Sequence, residues 1–304
     1  MLLSYGSRSI SLFHVIKQGR TLVKIHVSST VVEHFDRHSE TVQEWLSRSA
    51  AYSLDISLGY QGSSTLDEFY DRIIDSLINF SERWRSVRFS APHQALAKLV
   101  PVVTLPLSKV PLLEILSFDY FPGDPIPPYF TQVDPQSLWM TSGVLKAPKL
   151  RDLSLRCLER AQLNEDVTRL PINWSHWQLT SISLERFSWG ASQSLTVSRA
   201  YKLLSLCRNL ITCRLEIGSM MAHDEELSLD TTALISLPFL TKNFVYEQKT
   251  SLSRLFTLLY LPSLNCIEFY TAIEPTHHSS TSLLSLLTHF HNTTQLFIDT
   301  GFFT

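Results

Sequence analysis

The sequence predicts an α/β fold in which short parallel strands stack side by side and helices join one strand to the next. Three observations carry this expectation. A phrase of spaced leucines recurs through the second half of the chain, strand-like segments return at a step of about 30 residues, and helical patterns fall between several of them. The phrase is clearest at Leu150-Arg151-Asp152-Leu153-Ser154-Leu155-Arg156. It returns at Leu179-Thr180-Ser181-Ile182-Ser183-Leu184-Glu185, at Leu210-Ile211-Thr212-Cys213-Arg214-Leu215-Glu216 and at Leu264-Asn265-Cys266-Ile267-Glu268-Phe269-Tyr270. Such repetition marks an architecture whose single units cannot bury their apolar edges alone and so must stack.

Taken in order, Leu22 to Val27 alternates apolar and polar residues, as a half-buried strand does. Thr41 to Ala50 predicts a helix with Val42, Trp45 and Leu46 on one face. Tyr52 to Leu58 is a second strand, ended by Gly59 and Gly62. Leu66 to Phe80 predicts a helix with Thr65 as its cap and Asp67 and Glu68 in the first turn, where the helix dipole favours acids. Its apolar stripe is Leu66, Phe69, Tyr70, Ile73, Ile74, Leu77 and Ile78.

Trp84 to Phe89 is a third strand, His93 to Val100 a short helix and Leu113 to Phe118 a fourth strand. Pro122, Pro125, Pro127 and Pro128 make Phe121 to Tyr129 an irregular loop. Thr196 to Cys207 is helical, Leu240 to Tyr246 is a degraded copy of the phrase with Asn243 in an apolar slot, and Ser251 to Tyr260 and Ser282 to Phe290 are helical. Leu296 to Ile298 is the last strand.

The strand midpoints fall near residues 25, 56, 87, 116, 154, 183, 214, 245, 268 and 297. One strand per step places each strand parallel to its predecessor. The step lies near the upper end of the leucine-rich-repeat range. The expected architecture is therefore an α/β leucine-rich-repeat-like solenoid, an irregular horseshoe with parallel strands on the concave face and helices outside. It runs through residues 22–304 after a short lead-in, residues 1–21. A doubly wound sheet also alternates strands and helices, but does not repeat one leucine phrase.

The chain has 304 residues, 44% of them hydrophobic and 18% charged, with a formal net charge of -2. That balance excludes a general electrostatic grip on nucleic acid or an anionic membrane. The local cluster Arg83, Arg85 and Arg88 reads as a solvated face. The cysteines at 157, 207, 213 and 266 lack C-x-x-C spacing and read as free, buried thiols. Ser4, Gly6, Ser7, Arg8 and Ser9 interrupt the N-terminus, so it does not read as a signal peptide, and the N-x-S/T triplets at Asn79, Asn173 and Asn292 are taken as chance. No apolar run reaches membrane-spanning length. A cytoplasmic or nuclear protein is expected.

Chemistry-bearing motifs are absent from the sequence. His277 with His278 and His289 with His291 lack a partner at zinc-site spacing, so no metal is expected. Neither G-x-S-x-G, G-x-x-x-x-G-K-[ST] nor G-x-G-x-x-G occurs, so no cofactor and no hydrolytic triad is expected. His223-Asp224-Glu225-Glu226 reads as a solvated turn. An enzyme on a βα scaffold would need a deep pocket with convergent titratable groups.

One site follows from the geometry of the phrase. Strand side chains alternate faces, so Leu153, Leu155, Ile182, Leu184, Leu215, Ile267 and Phe269 point inward. The polar position after the last apolar residue then forms a row on the other face: Asp119, Arg156, Glu185, Glu216, Tyr246, Tyr270 and Asp299. Mixed charge with tyrosines suits a protein-binding surface, since Tyr and Arg are enriched at hot spots. Plain solvated strand residues would show the same pattern.

Three phrases carry a family resemblance: Val42-Gln43-Glu44-Trp45-Leu46-Ser47-Arg48-Ser49 followed by Ser53-Leu54-Asp55-Ile56-Ser57-Leu58, then Ser81-Glu82-Arg83-Trp84-Arg85-Ser86-Val87, then Leu203 to Cys213. From about Leu22 onward the chain resembles the F-box-like proteins of mushroom-forming fungi, in the region after the F-box. The resemblance implies leucine-rich-repeat-like segments that present a protein substrate within a cullin-based (SCF) ubiquitin ligase. No F-box pattern precedes the first strand, so a Skp1-type adaptor is expected only if an F-box lies upstream. The alternatives are a stand-alone repeat scaffold without a ligase link and an enzyme on a βα scaffold.

Overall fold

A computed structural model describes residues 10–17, 20–27, 35–49, 52–59, 67–92, 96–121, 142–156, 178–185, 195–218, 233–248, 252–271, 284–290 and 292–298. Among these the chain divides into two compact units, the first ending at Leu150 and the second beginning at Arg151. The fold is α/β with a large parallel sheet of nine strands.

The first unit opens with β1 (Ile10–Lys17) and β2 (Arg20–Val27), paired antiparallel from Ile10↔Val27 to Lys17↔Arg20 in a sheet of their own. The segment Leu22 to Val27, expected to start the parallel series, belongs instead to this hairpin. Only Gln18 and Gly19 separate the two strands, and so short a link can join antiparallel strands but not parallel ones.

Then come α1 (Phe35–Arg48), β3 (Leu54–Gly59), α2 (Asp67–Ile78), β4 (Trp84–Pro92), α3 (Leu96–Val103) and β5 (Ile115–Phe121). Strand β4 pairs parallel with β3 on one side and β5 on the other. Leu54, Ile56 and Leu58 of β3, Val87, Phe89 and Ala91 of β4, and Leu116 and Phe118 of β5 are buried, as are Ile73, Ile74 and Leu77 of α2. Phe89 stacks on Phe118 with ring centroids 5.6 Å apart. Burying each of these leucine, isoleucine, valine and phenylalanine side chains stabilises the fold by about 1.5–3 kcal/mol, and Ala91 contributes less.

The second unit carries β6 (Asp152–Arg156), β7 (Ser181–Glu185), α4 (Val197–Leu206), β8 (Thr212–Gly218), β9 (Ile235–Ser236), β10 (Lys242–Gln248), α5 (Ser253–Thr257), β11 (Leu259–Tyr260), β12 (Cys266–Thr271) and β13 (Gln295–Ile298). The parallel strands run in the order β6, β7, β8, β10, β12, β13. Thr196 caps α4, its Oγ1 accepting from the Arg199 amide at 3.2 Å. The helix expected over Ser251 to Tyr260 is only α5, because Leu259–Tyr260 pairs in parallel with β9 instead. There the Ile235 amide donates to the Leu258 carbonyl at 2.8 Å and the Leu237 amide to that of Tyr260 at 3.0 Å.

Two recurring hydrogen-bond devices join the steps. Ahead of the strands a tight turn closes from the amide of a buried leucine to a buried residue three positions earlier: Leu113 to Val110, Leu150 to Ala147, Leu210 to Cys207, Leu240 to Leu237 and Leu264 to Leu261, at 3.1–3.4 Å. Pro111, Pro148, Pro238 and Pro262 hold its second position, where a fixed φ suits the turn. The full phrase therefore begins three residues before the leucine that opened it in the sequence. In the second unit, one carbonyl at each strand entrance accepts two successive amides of the next step. Arg151 takes Thr180 and Ser181, Thr180 takes Ile211 and Thr212, Ile211 takes Thr241 and Lys242, Thr241 takes Asn265 and Cys266, and Asn265 takes Thr294 and Gln295. The hydroxyls of Thr180, Thr241 and Thr294 add a third bond at alternate joints, to Arg151, Ile211 and Asn265.

Among the described residues no helix is long and apolar enough to cross a membrane. Cys207, Cys213 and Cys266 are free and buried. Thr65, the proline loop at residues 122–129, Cys157, Asn173, His223 to Glu226, His277, His278, His291 and Asp299 lie outside the described residues.

Candidate interaction face

Strand alternation sorts the second unit's side chains as the phrase requires. Leu153, Leu155, Ile182, Leu184, Leu215, Ile267 and Phe269 are all buried. Asn243 is buried in the same column, in register with Cys213 and Ile267. Among the described residues of the second unit, the backbone positions of the row stand in register. Arg156 stands opposite Glu185, and Tyr246 stands between Glu216 and Tyr270.

The chemistry of that row differs from a simple acidic stripe. Glu216 is only 7% exposed. Glu185 Oε1 accepts from Ser183 Oγ at 2.6 Å, lies 3.1 Å from Arg156 Nε and 3.4 Å from Arg214 Nη1. The Arg156 contact is an ion pair without the alignment of a hydrogen bond. Arg214 Nη2 in turn lies 3.8 Å from Glu268 Oε2. The result is an alternating strip, Arg156, Glu185, Arg214, Glu268, drawn from β6, β7, β8 and β12. The side chain of Glu185 is 15% exposed, against 39% for Arg156. Glu185 is thus a joint between strands as well as a face residue. The row pattern found Arg156 and Glu185. It missed Arg214 and Glu268, which sit two residues earlier on their strands, and only the register of the strands brings them in.

In the first unit the three clustered arginines have three different roles. Arg83 donates from Nε to the Tyr52 carbonyl (2.9 Å), from Nη1 to the Leu46 carbonyl (3.0 Å) and from Nη2 to Ser49 Oγ (2.6 Å). Ser49 Oγ also donates to the Leu46 carbonyl at 2.6 Å. The fork closes the C-terminus of α1, where carbonyls lack helical partners. Burial holds the Arg83 guanidinium below its ordinary pKa. Arg85 sits where the β3–β4 register slips from Leu54↔Trp84 to Asp55↔Ser86. The slip frees its side chain to grip both carboxylate oxygens of Asp55. That hydrogen bonding to Asp55 raises its pKa further. Arg88 is exposed on β4, opposite Ser57 and Ser117. The solvated-face expectation therefore fits Arg88 and fails for Arg83 and Arg85, because partners from Leu46 to Asp55 are brought to them only by folding.

Among the described residues no group of three or more His, Cys, Asp or Glu could hold a metal ion. His289 is exposed, with Nδ1 2.7 Å from the Ser285 carbonyl. Comparison with family models, with curated proteins and with solved structures gives no match for this chain.

Proposed function

We propose that the chain is a leucine-rich-repeat-like solenoid acting as a non-catalytic protein-interaction module, the substrate-recognition region of an F-box-type ubiquitin ligase subunit. The observation that carries the repeat assignment is the strand-entrance joint, made five times with the same two amides on one carbonyl. Stacked units with one partner face each are how repeat proteins build long binding surfaces. The half-exposed face of the second unit, with its strip of arginines and carboxylates, supplies the polar surface on which a protein segment would lie. The ligase link rests on the sequence resemblance alone.

The test is co-purification of the intact gene product with a Skp1-type adaptor, alongside partner capture by wild type and by the Arg156→Glu, Arg214→Glu double variant. Adaptor recovery with capture lost in the variant is the expected result. Failure to recover the adaptor removes the ligase link and leaves a stand-alone scaffold. Capture unchanged in a folded double variant removes the second unit's face as the binding surface.

A further inference from the structure

We propose that the half-exposed face of β3, β4 and β5 docks an extended peptide segment that carries an acidic side chain and, two residues away, a basic one. This rests on the interaction-module function proposed above and names the partner's chemistry. The starting point is the contrast among the three neighbouring arginines. Arg83 and Arg85 spend their guanidinium groups on Leu46, Ser49, Tyr52 and Asp55. Among the described residues, Arg88 is exposed and makes no hydrogen bond or ion pair, and Asp119, half-exposed on β5, makes none either.

Both charges stand on one face of the sheet, because Val87, Phe89, Leu116 and Phe118 take the buried one. In register, Arg88 lies opposite Ser117, and Asp119 lies opposite Ser90. Strands are about 4.8 Å apart and two residues span about 6.6 Å, which sets the two Cα positions about 8 Å apart on a diagonal. Alternate side chains of an extended peptide share a face at about 6.6 Å, a close match to that diagonal. The positions between and beside the charges are Ser57, Ser90 and Ser117, short hydroxyls that leave the surface open and can bond to a peptide backbone.

Complementarity then fixes the partner's pattern. A carboxylate can take the Arg88 fork through two parallel hydrogen bonds. A lysine or arginine two residues away meets Asp119. A phosphate polymer is disfavoured, because one arginine is not a basic stripe and Asp119 repels the next phosphate. Both contacts are at the surface, so affinity falls as ionic strength rises.

The test is selection from a random dodecapeptide display library on the immobilised chain. The expected outcome is enrichment of Asp/Glu-x-Lys/Arg, in either direction. A synthetic peptide of that pattern should bind Arg88→Glu about tenfold more weakly than wild type, by loss of attraction and gain of repulsion. Exchanging the peptide's acidic and basic residues should restore binding to the Arg88→Glu, Asp119→Lys double variant. Unchanged melting temperatures establish folding, and Arg88→Gln serves if Arg88→Glu fails to fold. Selected peptides that lack the pair, or that bind Arg88→Glu or Arg88→Gln as tightly as wild type, overturn this proposal and leave the interaction-module function standing. A library that yields no binder overturns this proposal, while the interaction-module function is decided separately by the capture experiment above.

Discussion

Replacing Arg83 by methionine should destabilise the first unit by about 2 kcal/mol. Methionine keeps an apolar stem that can pack where the arginine's did, so the change isolates the fork. Three charge-assisted hydrogen bonds are lost, two of them partly buried, to the Leu46 carbonyl and Ser49 Oγ, and one exposed, to the Tyr52 carbonyl. A bond to a charged donor contributes up to about 1.5–3 kcal/mol when well buried and less at the surface. The gross loss of about 3–4 kcal/mol is offset in part because the guanidinium no longer has to be desolvated, a cost visible in its lowered pKa. A contact with the Phe80 ring, 5.7 Å from the guanidinium carbon, adds about 0.5 kcal/mol. Lysine retains the charge and one donor direction, so Arg83→Lys should lose about 1 kcal/mol. Urea unfolding followed by tryptophan fluorescence reads both, since Trp84 is fully buried beside Arg83. An unchanged m-value certifies that the same surface unfolds. A methionine variant within about 0.5 kcal/mol of wild type, or a lysine variant as unstable as the methionine one, would refute the capping role.

Two further outcomes follow from close packing and burial. A Cβ at Gly143 would overlap the Leu105 carbonyl oxygen and stand 2.8 Å from the Leu107 amide nitrogen, both backbone atoms, so Gly143→Ala should cost about 2–3 kcal/mol or more in thermal melts, and a neutral result would show that the Leu105–Leu107 backbone yields. Burial pushes the Cys207 thiol up to about 12 from 9.0, and Cys213 shifts the same way. Above pH 9 the unfolded thiols release protons that the folded ones keep, so stability is intact below pH 9 and falls as pH rises toward 12, by up to about 1.4 kcal/mol per pH unit per thiol. The Cys207→Ala, Cys213→Val double variant should flatten that part of the curve, which denaturant titrations between pH 8.5 and about 10.5 would measure; an unaltered slope would place its origin in other groups.

The inward half of the fold was legible because burial and alternation report the same thing. Leu153, Leu155, Ile182 and Leu184 could be placed from period alone, since a one-residue slip would turn every one of them to water. The prolines at 111, 148, 238 and 262 are also visible as letters, each four residues ahead of the first strand residue. Their role stays hidden in the string because a turn residue gains meaning only once its apolar neighbours are known to be buried. The outward half was less legible. Glu185 and Arg214 are 29 residues apart in sequence, and nothing local to either says that they meet. Arg83, Arg85 and Arg88 look alike in the string. A hydrogen-bonded helix end and a slipped register separate them into a cap, a clasp and an open charge. The short β9–β11 pair was hidden for a similar reason: Leu258, Leu259 and Tyr260 fit a helix as well as a strand, and the partner that decides the matter lies more than twenty residues earlier.

The strand-entrance joint has a consequence for how such a chain can change over time. Its acceptor is a main-chain oxygen, supplied at successive joints by arginine, threonine, isoleucine, threonine and asparagine. No particular side chain is needed to make it, so substitution at these positions leaves the connection intact. Loop length is equally free: the joint forms whether the next acceptor comes 31 residues later, from Thr180 to Ile211, or 24, from Thr241 to Asn265. A lineage could lengthen one connection, shorten another, or duplicate a whole step without renegotiating the backbone, while side chains on the open face vary independently of it.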